Sequence, residues 1–363
     1  MTIYLDYQAT TPLAPEAFDA MVPLLRDQFA NPHSAHRLGR AAAAQVERAR
    51  DEIGALLPDG GRLLFTSGAT EALNLAIQGA PAGGIVTLAT EHATILDTVA
   101  ALEAKGRQVT VLPVGNDGLV DLEAAEAAIL PGVGLVAAML VNNEIGVIQP
   151  VDKLADLAHR AGALFLCDAV QAYGRVPIPD SCDMVAVSAH KIHGPKGVGA
   201  LWLRDGVRLS PVMHGGGQEA GLRSGTLSPA LCAGFGVAAR LMRERAEQDH
   251  AHVETLWRRA LTLFEGWTLN GSADARYHGN LNIRREGLDG ARLLSDCRDV
   301  AFSLGSACAS GSGRPSHVLR AIGLSDRGAR GSVRIGFGRY ATLAELESAA
   351  RIMNEAAAVQ AAP

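Results

Sequence analysis

Along the first two thirds of the chain, short apolar runs alternate with longer amphipathic stretches. The runs "RLLFT", "GIVTL", "QVTVLPV", "GLVAAMLV", "GALFLCD" and "DMVAVSA" are strand-length and rich in Val and Leu, so they predict buried strands. Between them "EALNLAIQGA", "ILDTVAALEAKG", "LEAAEAAIL" and "DKLADLAHRAG" carry the helical spacing. Strands that alternate with helices, and that lack polar faces of their own, predict an α/β fold: an open, mostly parallel sheet covered on both sides. Ligands in such a sheet gather beyond the carboxyl ends of the strands.

The pattern then changes. Residues 225–264 predict one or two long helices, and a shorter mixed segment follows, ending in the helical "LAELESAARIMNEAAAV". This places a large domain at residues 15–255 and a smaller α+β domain at 256–363, joined by residues 1–14. The length, 363 residues, exceeds what one hydrophobic core usually serves. No repeat of 20–50 residues is visible, and the alanine-rich "GRAAAAQVERARDEIGALL" reads as a strong helix.

Charge narrows the function classes. A formal net charge of -5, with no basic stripe, argues against a nucleic-acid partner. The longest apolar stretch, "GLVAAMLV", is too short to span a membrane, and the N-terminus lacks a secretory apolar segment, so the sequence predicts a soluble cytoplasmic protein. The five cysteines show neither a C-x-x-C pair nor a ligand spacing to histidine, which argues against a metal site and a disulfide framework. Cys308 stands apart, in the Gly, Ala and Ser run "SLGSACASGSGRP", where a loop with freedom to swing is expected over about 303–314.

Candidate chemistry sits at the predicted strand ends. "TSGATEA" follows a strand and opens a helix, so the amides of Ala69 and Thr70 could cradle an anion; an ordinary Ser/Thr helix cap is the equal alternative. Asp168 ends "LFLCD", with Gln171 three residues on. Ser188, His190 and Lys191 end the next strand. Only four lysines occur, and two lie in "SAHKIHGPKG"; desolvation at a strand end would make Lys191 a nucleophile, whereas Lys196 reads as a turn residue. A phosphate cup, a strand-end carboxylate and a strand-end lysine together suit pyridoxal 5'-phosphate, whose phosphate, ring nitrogen and aldehyde need those three partners.

Further motifs carry a family resemblance. "YLDYQATTPL", "NPHSAHRLGR", "TSGATEALN", "TEHATILD", "VNNEIGVIQP", "CDAVQAYGR", "SAHKIHGPKGVGALWL", "MHGGGQEAGLRSGT" and "GSACASGSGRPSHVLRAIG" occur in order, and the chain resembles the cysteine desulfurases of the iron–sulfur-assembly and nitrogenase type. The resemblance implies an aspartate-aminotransferase-like fold (fold type I) with a mostly parallel seven-stranded sheet in the large domain. It implies that Lys191 links covalently to the cofactor, Asp168 pairs with its ring nitrogen, Gln171 contacts its phenolic oxygen and His92 stacks on its ring and moves protons. Ala69, Thr70, Ser188 and His190 match the phosphate-binding positions, and Thr226 matches a phosphate contact donated by a partner subunit, so a homodimer with shared active sites is implied. Asn142 and Arg334 match the groups that hold the substrate carboxylate, with Arg339 as a rival to Arg334. Cys308 matches the cysteine that takes sulfur from L-cysteine as a persulfide, leaving L-alanine, before passing it to an iron–sulfur scaffold or another acceptor protein.

The sequence departs from the family at Ala93, His193, Gly313 and Arg314, none of them central to this chemistry. The alternatives are a selenocysteine lyase or another pyridoxal-phosphate enzyme of the same class, and, from a different class, a cofactor-free assembly scaffold. A hydrolase is suggested by "HGGG" at His214–Gly217, but no G-x-S-x-G accompanies it.

Overall fold

The computed structural model describes residues 2–304 and 315–361. All six runs singled out by their apolar pattern are strands. They are β2 (Gly61–Thr66), β3 (Gly84–Leu88), β4 (Val109–Leu112), β5 (Val133–Met139), β6 (Leu164–Asp168) and β7 (Met184–Ser188), following a two-residue β1 (Ile3–Tyr4). The next strand, β8 (Gly199–Arg204), begins in the glycine-bearing turn after "GPKG" and is not among the runs that the apolar pattern predicts. It completes a seven-stranded sheet of order β2-β8-β7-β6-β5-β3-β4. β8 runs antiparallel to both β2 and β7, and every other pairing is parallel. The sheet is mostly parallel because each crossover between its parallel neighbours is long enough to hold a helix.

Helices bury both faces. On one side Leu64, Leu135, Leu166 and Leu201 pack with Leu73 and Ile77 of the helix Ala69–Gly79. On the other, Phe65, Val136, Phe165 and Trp202 pack with the helices Arg37–Gly54, Val151–Arg160 and Pro229–Glu244. Strands buried on both faces have no need of alternation, which is why they read as continuous apolar runs.

A second core surrounds β12 (Ser332–Gly336), β10 (Asn280–Arg284) and β9 (Thr268–Leu269), paired antiparallel in that order. The helices Ala246–Leu263 and Leu343–Ala361 pack on it through Leu256, Trp257, Leu346 and Met353. The N-terminus belongs to this core: β1 pairs with β11 (Val300–Ala301), and Leu5 and Tyr7 are buried within it. No described helix is long and apolar enough to cross a membrane.

Candidate functional site

Strand ends converge where the switch-point rule expects a ligand. β6 ends in Asp168 and β7 in Ser188; a short turn, Ala189–Lys191, then carries His190 and Lys191. β2 ends at Thr66, and Gly68 caps the helix Ala69–Gly79 with no side chain filling its N-terminus. The Ser/Thr cap expectation therefore fails here, and the open helix end remains. Gly199 allows this closeness, since a Cβ there would lie 2.7 Å from the Gly68 Cα. From the other core come Gln8, Ala9 and Thr10 and, on β12, Arg334.

These elements enclose a cavity of about 750 Å³ lined by Ala69, Thr70, His92, Asp168, Gln171, Ser188, His190, Lys191 and Arg334 among others. Its polar groups are held in place. The Lys191 ammonium donates to the carbonyls of Gln8 (2.6 Å) and Ala9 (2.8 Å), and the Gln171 amide also donates to Gln8 (2.9 Å). Thr10 and His190 meet at 3.1 Å. His92 caps the helix Ala93–Glu103, its Nδ1 accepting from the Thr94 amide at 3.1 Å. Burial, with Lys191 and His317 nearby, lowers the His92 pKa, so the neutral ring carries its proton on Nε2.

Asp168 is 2% exposed and accepts a hydrogen bond from the Val170 amide at 3.0 Å. Burial raises its pKa to about 6, against the opposing pulls of that amide and of Lys191. His190 is pushed down to about 4, first by burial and then by Lys191 and Lys196. A buried carboxylate on a cavity suits a cationic ligand atom, and an open helix end on the same cavity suits an anion.

On the same cavity Arg334, 1% exposed, donates to Asp6 (2.8 Å) and to the Asn143 carbonyl (3.0 Å). Its Nε is buried with no hydrogen-bond partner among the described residues. An arginine that lines a cavity with one guanidinium nitrogen still unpartnered suits a carboxylate. Arg339 lies elsewhere: it grips Asp249 at 2.6 Å and does not line this cavity.

Two expected residues are not on the cavity. Asn142 is buried, its amide donating to the Thr90 carbonyl (2.8 Å) while its oxygen accepts from the backbone amides of Glu144 (2.9 Å) and Ile145 (3.0 Å). Its neighbour Asn143 lines the cavity instead, so the expectation for Asn142 is corrected to Asn143. In "VNNE" the two are adjacent and identical, and only the fold decides which one turns inward. Thr226 is exposed and away from the cavity of its own chain. Cys308, with the rest of residues 305–314, lies outside the described residues.

Lys196, expected to serve only a turn, does line the cavity, as do Glu144 and His317. His317 donates to the Glu91 carbonyl at 2.8 Å, and Glu144 holds Ser316. Only the motif "PSHVL" marks His317 in the sequence, and composition does not mark it at all.

The donor set fits pyridoxal phosphate: a helix end with Thr70, Ser188 and His190 for the phosphate, Asp168 for the ring nitrogen and Lys191 for the aldehyde. Comparison with known proteins agrees. The aminotransferase class-V family matches residues 3–348. "Cysteine desulfurase, mitochondrial" of Eremothecium gossypii is 44% identical over 97% of this chain and 75% of its own length. "Cysteine desulfurase IscS" of Rickettsia bellii is 42% identical, over 97% and 90% respectively. A solved NifS-like protein superposes with a TM-score of 0.90 at 31% identity, covering 98% of this chain and 99% of its own. The structure of SspA in complex with cysteine gives 0.83 at 35% identity, covering 94% and 100%. The chain therefore belongs to the aminotransferase class-V family, among its cysteine desulfurases, which are pyridoxal-phosphate enzymes.

Proposed function

We propose that the cavity takes L-cysteine and that the chain moves its sulfur to Cys308, releasing L-alanine. The observation that carries this reading is that Asp168, Lys191 and Arg334, the last with an unpartnered nitrogen, line one cavity. Pyridoxal phosphate, when bound, supplies an electron sink next to the substrate's α-carbon.

The chain's residues do the rest. Thr70, Ser188, His190 and the amides of Ala69 and Thr70 hold the phosphate, and Gln171 the phenolic oxygen. Asp168 keeps the ring nitrogen protonated. Arg334 and Asn143 hold the substrate carboxylate, the first through a planar fork. The Lys191 amine would take the α-proton. The Cys308 thiolate then attacks the substrate sulfur; the electron pair of the broken C–S bond stays on the β-carbon, which takes a proton to give L-alanine. That proton is the one the Cys308 thiol gives up on becoming a thiolate, and His92 is the side chain that would carry it between them. Sulfur leaves as a Cys308 persulfide for the thiol of an acceptor protein in iron–sulfur assembly or another thiolation.

A homodimer with shared sites is part of the proposal. Thr226 would complete the phosphate contacts of a second copy, a reading supported by its exposure and by exposed Phe18, Leu25, Phe29 and Leu38. Residues 15–255 would act as the cofactor-binding domain, with residues 1–14 and 256–363 as the smaller one, consistent with their two separate cores. A cytoplasmic location is inferred with it, although relatives include mitochondrial enzymes.

The test is product analysis. Wild type should yield alanine and sulfide in equal amounts from L-cysteine with a reductant, and Cys308→Ser should yield neither. Turnover of cysteine by Cys308→Ser at the wild-type rate would overturn the sulfur route, and turnover of selenocysteine alone would make the chain a lyase for that substrate.

A further inference from the structure

A second cavity, of about 290 Å³, shares no lining residue with the first. Three guanidiniums line it, Arg175, Arg276 and Arg339, against two carboxylates, Asp249 and Glu254. Both carboxylates are engaged. Asp249 holds Nε and Nη2 of Arg339 (2.9 and 2.6 Å), and Glu254 holds His278 (2.5 Å).

The arginines are not fully answered. Arg339's side chain is only 6% exposed and its guanidinium lies over the Tyr340 ring, yet its Nη1 has no hydrogen-bond partner of normal geometry among the described residues. Arg276 is 5% exposed and donates only to carbonyls, those of Ser272 (2.9 Å), Ile145 (2.7 Å) and Asn270; no described acid lies within ion-pair distance of it. Arg175 likewise spends its donors on Gln171 and on the Lys191 carbonyl. Buried positive charge without an anion is costly, and a partner drawn from solution relieves it. His193 on the same lining registers the field: burial, then Arg339, push its pKa down to about 3.

We propose that this cavity binds a small organic carboxylate, its head at the Arg339 guanidinium and its short apolar tail on the aliphatic lining of Ile148, Val176 and Val253. A carboxylate is favoured over phosphate because the guanidinium fork is planar and the surplus is a single positive charge. The site is linked to the catalytic one through Arg175, which lines this cavity and donates to the carbonyl of Lys191. An occupant drawing on Arg175 would therefore be felt at the lysine.

Butyrate is the probe, titrated calorimetrically into the holoenzyme at constant ionic strength with chloride as background and inorganic phosphate as a second ligand. The cofactor then fills the catalytic phosphate cup, and Arg334→Gln removes the other carboxylate holder. Saturable butyrate binding is expected in wild type and in Arg334→Gln. It should weaken about tenfold or more in Arg339→Met. Arg339→Lys keeps the ion pair with Asp249 and the fold but lacks the second edge, so it should weaken binding too. No saturable binding to wild type, binding that survives in Arg339→Lys but vanishes in Arg334→Gln, or binding of phosphate in place of butyrate would each overturn the proposal. The visible absorption of the cofactor reports the catalytic site separately, so failure here leaves the desulfurase reading standing.

Discussion

Replacing Asp168 by Asn should stabilise the cofactor-free protein while weakening its hold on the cofactor. In the folded chain burial lifts the Asp168 pKa from 3.8 to about 6, so the folded state holds its proton where the unfolded state has released it. For a carboxyl raised in this way, stability is undiminished below the unfolded pKa, falls as pH rises from about 4 to 6, and stays reduced above. The difference corresponds to about 3 kcal/mol at neutral pH, because each tenfold change in proton affinity is worth about 1.4 kcal/mol. Asn carries no charge to desolvate and can keep the bond from the Val170 amide. Urea unfolding of the cofactor-free wild type and Asp168→Asn, at pH 4.5, 6 and 7.5, measures the effect. The variant's advantage should be small at the lowest pH and approach about 3 kcal/mol at the highest. Holoenzyme should show the reverse, because a protonated ring nitrogen would give the wild-type carboxylate a cationic partner. A variant less stable than wild type when cofactor-free, with a difference that does not change with pH, would refute the reasoning.

Asn142→Ala should cost about 2–4 kcal/mol of stability through three lost buried hydrogen bonds, whereas Asn143→Ala should leave the melting temperature nearly unchanged and raise KM for cysteine; thermal melts with steady-state kinetics separate the two. Arg334→Lys should raise KM for cysteine about 10–100-fold with a smaller effect on kcat, since an ammonium cannot make the two-edged contact. Lys196→Gln should speed loss of the cofactor a few-fold at low salt, followed by absorbance after dilution, and the difference from wild type should vanish at high salt because Lys196 is exposed.

The central sheet is legible in the sequence because strands buried on both faces must be apolar throughout, and β2 to β7 declare themselves in that way. β8 does not, because its start is hidden in a glycine- and proline-bearing turn, and a single antiparallel strand breaks the strand–helix rhythm. Asp168, Ser188 and Lys191 are equally legible, since a polar residue ending a buried run has one place to go, the carboxyl edge of the sheet. His92 satisfies two descriptions at once, a helix cap through Nδ1 and a residue lining the cavity.

What the sequence determined alone was the order of elements and the kinds of group at their ends, because those follow from periodicity and from the cost of burying polar atoms. Which asparagine of the pair faces inward, which arginine meets the cavity and that Lys196 lines it were decided only by tertiary structure. Those choices depend on how distant segments pack: Arg334 is aimed by Asp6 and by the Asn143 carbonyl, Arg339 is drawn away by Asp249, and no local pattern of residues encodes either partner.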